Sequence, residues 1–147
     1  MDWTAAAIVL ATFGGPFAAL EIQKRLDGRR EKQRLKEEAF RTLMATRAFG
    51  HRTSAEHVQT LNRIDLTFSS GGTKDRDVLE AWNVYRNCLK TRESEDWNAN
   101  QRMYKRREDA FWDLLYRMGE AVGYPFDRAY LKDSSYTPLT HDNMWRD

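Results

Sequence analysis

The sequence predicts an all-α protein: an N-terminal transmembrane helix continuing into a stalk and a cytosolic antiparallel helical bundle. Three observations carry this expectation. Residues 3–20 hold no charged side chain. Residues 24–36 then carry seven Lys or Arg. Beyond residue 39, apolar residues recur at helical spacing between short polar loops, and no strand alternation is visible.

The uncharged stretch comes first in the argument. As a helix, its 18 residues rise about 27 Å, close to the roughly 30 Å hydrocarbon core of a bilayer. Basic residues beside such a span are normally retained in the cytoplasm. The expected topology is therefore a single pass through the inner membrane, with the N-terminus outside and the C-terminal domain cytosolic. A cleaved signal peptide fits poorly, because only Met1 and Asp2 precede Trp3 and the basic cluster lies on the wrong side. A buried soluble helix is the competing reading, since the stretch is short and rich in alanine.

Within the span, Thr4, Ala7, Ala11, Gly14 and Ala18 share one helical face, and Leu10, Phe13, Phe17 and Leu20 gather on a neighbouring one. Small residues let helix backbones approach closely in lipid, while large apolar groups suit acyl chains. The small face is the expected packing surface for self-association, although alanine and glycine are also simply common in membrane spans. Pro16 after Gly15 favours a kink or a loosened turn.

Residues 21–48 continue with strong helix formers and no proline, Gly28 being the one weak point. Their first half is polar and suits a solvated stalk. The second half turns amphipathic at Ala39, Phe40, Leu43 and Met44, where the chain should enter the core. Gly50 is the expected stop. Thr53 or Ser54 then caps a second helix, with Thr53 and Glu56 matching a capping box. Its apolar positions are Val58, Leu61, Ile64 or Leu66, and Phe68.

The run SSGGTKD is a loop, and a third helix follows over about residues 75–90, with Val78, Trp82, Tyr85 and Leu89 at helical spacing. A fourth covers about residues 97–122, with Phe111, Leu114, Leu115, Met118 and Val122 inward and Gly123 as the stop. Asp127 can cap a short helix through Leu131. The tail is too aromatic for a disordered segment and should fold back onto the bundle or a neighbouring subunit. The expected organisation is thus an anchor at 1–23, a basic stalk at 24–38, a bundle at 39–123 and an aromatic-rich C-terminal segment at 124–147 packed on the bundle.

Composition narrows the function classes. At 147 residues the chain is one domain plus an anchor. A net charge of +2 and a pI near 8.7 give no global basic field for nucleic acid. One cysteine, Cys88, excludes an internal disulfide framework and a thiolate metal site. The histidines, His51, His57 and His141, offer no pair on one helix face, and no phosphate loop or nucleophile elbow occurs. No metal, cofactor or catalytic residue is expected.

Two polar sets remain. Arg47, His57, Asn62 and Asp65 form either a ligand pocket or a polar clasp between two helices. In both readings Asn62 and Asp65 are partly buried, and Arg47 or Arg41 neutralises Asp65. The basic stretch, including Lys24, Arg25, Arg29, Arg30, Lys32 and Arg34, reads as a membrane-proximal face. Contact with anionic lipid headgroups, or with a nucleotide or oligonucleotide where several stalks meet, would use the same residues. A second cluster, Arg102, Lys105, Arg106 and Arg107 beside Tyr104 and Trp112, suits a solvated helix face or stacking on bases.

Several features together resemble a group of small bacterial single-pass membrane proteins that carry a domain of unknown function. They are the Trp-led span with Gly14, Gly15 and Pro16, the charged stalk, and the segments FRTLMATR, HVQTLNRIDLTF, AWNVY and GYPFDRAYL. The resemblance covers nearly the whole chain and implies no activity, because its motifs are structural. The layout is also similar, in architecture alone, to membrane effectors of bacterial anti-phage systems, in which a soluble domain senses a nucleotide and the anchors form a pore.

The leading expectation is a homo-oligomeric inner-membrane effector whose anchors form or disrupt a permeability barrier when the cytosolic domains rearrange. A pore needs at least about four copies around an axis. Thr4 and Thr12 are the polar side chains of the span, so such a pore would be narrow and apolar enough to shut by dewetting. The alternative is a passive membrane-anchored adaptor whose bundle docks a partner protein. An enzyme is the third reading, and it requires the His57, Asn62 and Asp65 set to surround a cavity.

Overall fold

Five helices and one 3-10 turn make up the protein in a computed structural model that describes residues 3–133, with side chains from Ala19 onward apart from Phe49. They are α1 (Trp3–Ala45), a 3-10 turn (Phe49–His51), α2 (Ala55–Thr67), α3 (Thr73–Lys90), α4 (Trp97–Val122) and α5 (Arg128–Asp133). No strand occurs among the described residues, so the chain is all-α. It divides into two units, Met1–Leu35 and Lys36–Asp147.

The first unit is helical from Trp3. Its described side chains are exposed apart from the half-exposed Gln33, with Leu20 and Ile22 more than half open to solvent. Three of its basic residues lie beside acidic neighbours on the helix surface: Arg25 with Glu21 at 3.3 Å, Arg30 with Asp27 at 3.7 Å and Arg34 with Glu31 at 2.7 Å. Among the described residues no helix is long and apolar enough to cross a membrane. The side chains of Thr4, Ala7, Ala11, Gly14 and Ala18, the expected packing face, lie outside the described residues.

In the second unit, neighbouring helices run antiparallel. Lys74 near the start of α3 reaches the Glu120 carbonyl near the end of α4, while Arg107 early in α4 reaches the Cys88 carbonyl late in α3. Asp65 late in α2 accepts from Trp82, whereas Thr46 just after α1 meets His57 at the start of α2. Each reversal follows from a short connection that leaves no room for a crossover.

The core is the sum of the helical stripes. Phe40 and Leu43 of α1 meet Leu61 and Ile64 of α2, Val78 and Tyr85 of α3, and Phe111, Leu114, Leu115 and Met118 of α4. Phe111 is fully buried and stacks obliquely on Tyr85 and Trp112 with centroids 5.2 and 5.5 Å apart. Burying a side chain of this size contributes roughly 1.5–3 kcal/mol. α5 closes one side by burying Leu131, while Asp127 accepts from the Ala129 backbone N–H at 3.0 Å at its start.

Two glycines shape the return from α4 to α5. Gly123 ends α4 in the left-handed region at φ +87°, a conformation that strains any side chain. At Gly119 a methyl group would come within 2.8 Å of the Tyr124 carbonyl oxygen. The missing Cβ lets residues 124–126 lie directly on α4, where Tyr124, Phe126 and Phe40 form a ring triad with centroids 5.9 to 6.3 Å apart.

Expectations about α1 and about Val58 and Leu89 are corrected, and the two choices left open in α2 are resolved. α1 stops at Ala45 rather than Gly50, and the 3-10 turn intervenes. Ser54, not Thr53, caps α2 by accepting from the His57 backbone N–H at 3.2 Å. Ile64 is inward and Leu66 is 77% exposed, because only one of two residues spaced by 200° can face the core. Val58 and Leu89, expected inward, are 44% and 43% exposed.

Charge inside the second unit is concentrated in a buried ion pair. Lys36 Nζ donates to both carboxylate oxygens of Asp75 at 2.8 Å, and the Ser70 hydroxyl donates to Asp75 Oδ2 at 2.8 Å. Both ionic side chains are at least nine-tenths buried. Asp75 lies in the first turn of α3, where the helix dipole favours a negative charge. Lys36→Ala should destabilise the fold by about 3–5 kcal/mol, because it strands a buried carboxylate. Lys36→Met with Asp75→Leu should recover most of that loss. Urea denaturation of the two variants checks both; equal stability for Lys36→Ala and wild type would show that the pair carries little.

Candidate functional site

Beside the core lies an open groove of about 770 Å³ on one face of the second unit. α2 supplies Val58, Leu61 and Asn62, three positions on one side of a helix. α3 supplies Trp82, Tyr85, Arg86 and Leu89, a run at i, i+3, i+4 and i+7. Tyr104, Arg107 and Glu108 of α4 close the far side, and Arg52 comes from the turn before α2. The floor is aromatic, with Trp82 and Tyr85 both largely buried, and the walls are the half-exposed Val58 and Leu89.

Three arginines of this groove are held by partners within the fold. Arg52 forms a two-armed pair with Glu108, one arm at 3.3 Å, and donates from Nε to the Arg47 carbonyl at 2.8 Å. Its guanidinium lies 4.2 Å from the Phe111 ring centroid. Glu108 also accepts from Trp112 Nε1 at 3.0 Å. Arg107 donates to the carbonyls of Cys88 and Thr91 at the end of α3, where the Cys88 carbonyl also accepts from the Thr91 backbone N–H at 3.3 Å. Arg86 reaches Asp65 at 3.3 Å and Asn83.

The four residues singled out from sequence take different places. Asn62 lines the groove, while Arg47, His57 and Asp65 are not among its lining residues. Asn62 and Asp65 are exposed rather than partly buried. The cation beside Asp65 comes from Arg86 of α3, not from Arg47 or Arg41. Arg47 donates to the Met44 carbonyl at 2.6 Å, and Arg41 donates to the Tyr124 hydroxyl at 3.3 Å. Helical spacing could place Asp65 on a face, but it could not say which neighbouring helix meets that face.

His57 is fully buried between Thr46 and Phe111. Thr46 Oγ1 donates its one proton to the Thr42 carbonyl at 2.8 Å, so the 2.7 Å contact to His57 Nδ1 has the imidazole N–H as donor. Nε2 is then a bare acceptor in the core, with no hydrogen-bond partner. Burial, and next the nearby Arg52 charge, push the imidazole down to about 4, against a smaller upward pull from Thr46. A neutral histidine of this kind fixes α1 against α2 and does not act as a base at neutral pH.

Another pocket, of about 600 Å³, lies on the other side of the α3–α4 pair, where Cys88, Met103 and Arg106 meet. The basic cluster on α4 is dispersed: Arg102 lies 3.7 Å from Asp96, Tyr104 bonds Glu93, and Arg107 turns to α3. Among the described residues no three of His, Cys, Asp and Glu gather as metal ligands.

A family model matches residues 1–146. The chain belongs to the family of unknown function DUF6680. No curated protein and no solved structure matches it. Membership therefore adds no ligand or reaction to what the DUF6680 groove and core show by themselves.

The groove residues missed from sequence have a readable signal. α3 carries Val78, Ala81, Tyr85 and Cys88 toward the core and a second stripe of Trp82, Arg86 and Leu89 beside it. That apolar face is wider than one neighbouring helix can cover.

The buried imidazole makes stability depend on acid. Its folded pKa is lowered, so its contribution is complete above the unfolded value near 6.5 and is lost as pH falls toward and through about 4. Urea titrations at pH 7 and pH 4 should differ by about 3 kcal/mol more in wild type than in His57→Gln. A variant with the same acid sensitivity as wild type would show that His57 is not the group that titrates.

Proposed function

We propose that this protein is a membrane-tethered helical binding module that works by association rather than catalysis. The observation that carries the reading is the groove: aromatic at its floor, apolar at its walls and half open to solvent. Concave apolar sites with a few charged groups are the usual form of binding surfaces. The titratable groups around it are spent on holding the fold, with Glu108 gripping Arg52 and Trp112, and His57 buried and neutral. Tethering is supported by the uncharged residues 3–20 and the basic residues that follow, which keep the second unit on the cytosolic face of the inner membrane.

Alkaline carbonate extraction of cell membranes tests the tether. The full chain should stay in the pellet, and a chain lacking residues 1–23 should move to the supernatant. Release of the full chain would sink the membrane reading.

A second reading rests on the small-residue face of the span, Thr4, Ala7, Ala11, Gly14 and Ala18. Here the same module is a homo-oligomeric effector of anti-phage defence whose anchors associate and breach the membrane, gated through the cytosolic domain by a partner, nucleotide or oligonucleotide. Four or more copies are required for a conducting path. Mass measurement in mild detergent should give a discrete oligomer that Gly14→Leu reduces, and overexpression should collapse the membrane potential. A monomer in both chains leaves the adaptor and removes the effector.

A further inference from the structure

Resting on the binding reading, we infer that the groove receives an amphipathic helix of a partner protein whose apolar face is flanked by acidic residues. The shape argues for a helix. Helices α2, α3 and α4 form the trough, and the Trp82 to Leu89 stripe of α3 runs along it for two turns, about 10 Å, at the spacing another helix presents. The unspent apolar surface lies at its edges, where Val58 of α2 and Leu89 of α3 are each more than 40% exposed beside buried Trp82 and Tyr85.

Charge selects among helices. The lining holds the cations Arg52, Arg86, Lys90 and Arg107 against one carboxylate, Glu108. Just outside the lining, Asp65 offsets part of Arg86 and Glu93 accepts from the Tyr104 hydroxyl, leaving four cations against three carboxylates. The balance is positive. A basic helix would be repelled and an acidic one steered in.

The same cations argue against a phosphate ligand. Arg52, Arg86 and Arg107 already donate to Glu108, to Asp65 and to the carbonyls of Cys88 and Thr91. They present a field around an apolar trough, not a convergent set of donors of the sort that grips a phosphate. A second copy seated on the same face is disfavoured as well. A twofold interface would bring each positive rim against its own image.

The test uses the full chain in lipid nanodiscs, with a displayed library of 16-residue helical peptides randomised on all faces. Enriched peptides should carry large apolar residues at i, i+3 or i+4, and i+7, flanked by Asp or Glu. Their affinity should fall at least tenfold in Val58→Glu and in Leu89→Gln. Both substitutions sit at half-exposed positions, and circular dichroism verifies that the helices persist. Arg86→Glu should weaken binding by several fold, and the control Arg76→Glu, outside the groove lining, should not.

Enrichment unchanged by Val58→Glu and Leu89→Gln, or no enrichment at all, would overturn the inference, as would selected peptides without acidic excess. A change in assembly mass in those variants would assign the groove to a second copy. Displacement of the peptides by adenosine or guanosine nucleotides would assign it to a nucleotide. Each of those last two outcomes overturns the helix proposal while leaving a binding module, and the carbonate extraction reads the tether separately.

Discussion

The Lys36–Asp75 pair is the constraint on which the arrangement of the second unit depends. Lys36 belongs to α1, Ser70 to the α2–α3 loop and Asp75 to the first turn of α3. One buried carboxylate therefore joins the start of α3 and the loop before it to α1, 39 residues away. Its desolvation is tolerated because the ammonium and the hydroxyl satisfy its oxygens and because the helix dipole favours its charge. Such a pair specifies geometry more than it adds net stability: α1 cannot slide along α3 without separating two ions inside a core.

At the C-terminal end of α1, beyond Lys36, neutral groups do the equivalent work. The chain of Thr42 carbonyl, Thr46 hydroxyl and His57 imidazole ties the α1 terminus to the start of α2. Arg52 then leans from the intervening turn across Phe111 to Glu108, joining that corner to α4. The groove follows from this framework. With α2 held at both ends, its Val58–Leu61 side stands apart from Leu89 of α3, and no described helix fills the space between them.

Helix content was legible because it is a local property. Periodicity and end signals located α3 and α4, with the fourth helix ending at Val122 before Gly123 as its left-handed stop requires. The inward positions Phe111, Leu114, Leu115 and Met118 were likewise readable from spacing. Misreadings fell where spacing is silent. Val58 and Leu89 looked like core because a stripe records which residues share a face, not whether a neighbour covers it. Lys36 looked like one more solvated cation in a basic run, and its burial depends on Asp75, 39 residues away. Asp65 and Arg86 illustrate the same limit for the candidate site, since their pairing follows from α2 lying against α3.

By itself, the order of residues determined an all-α chain, the polarity change after residue 20, the inward stripes of the helices and the absence of recognisable catalytic motifs. These are consequences of local spacing and of the cost of leaving apolar or charged groups in the wrong solvent. Only the tertiary structure decided which carboxylate and which histidine are buried and where apolar surface remains uncovered. Each of those outcomes is set by neighbours that arrive from other helices, and the free energy of a buried charge or an open groove belongs to the assembled contact rather than to any one segment.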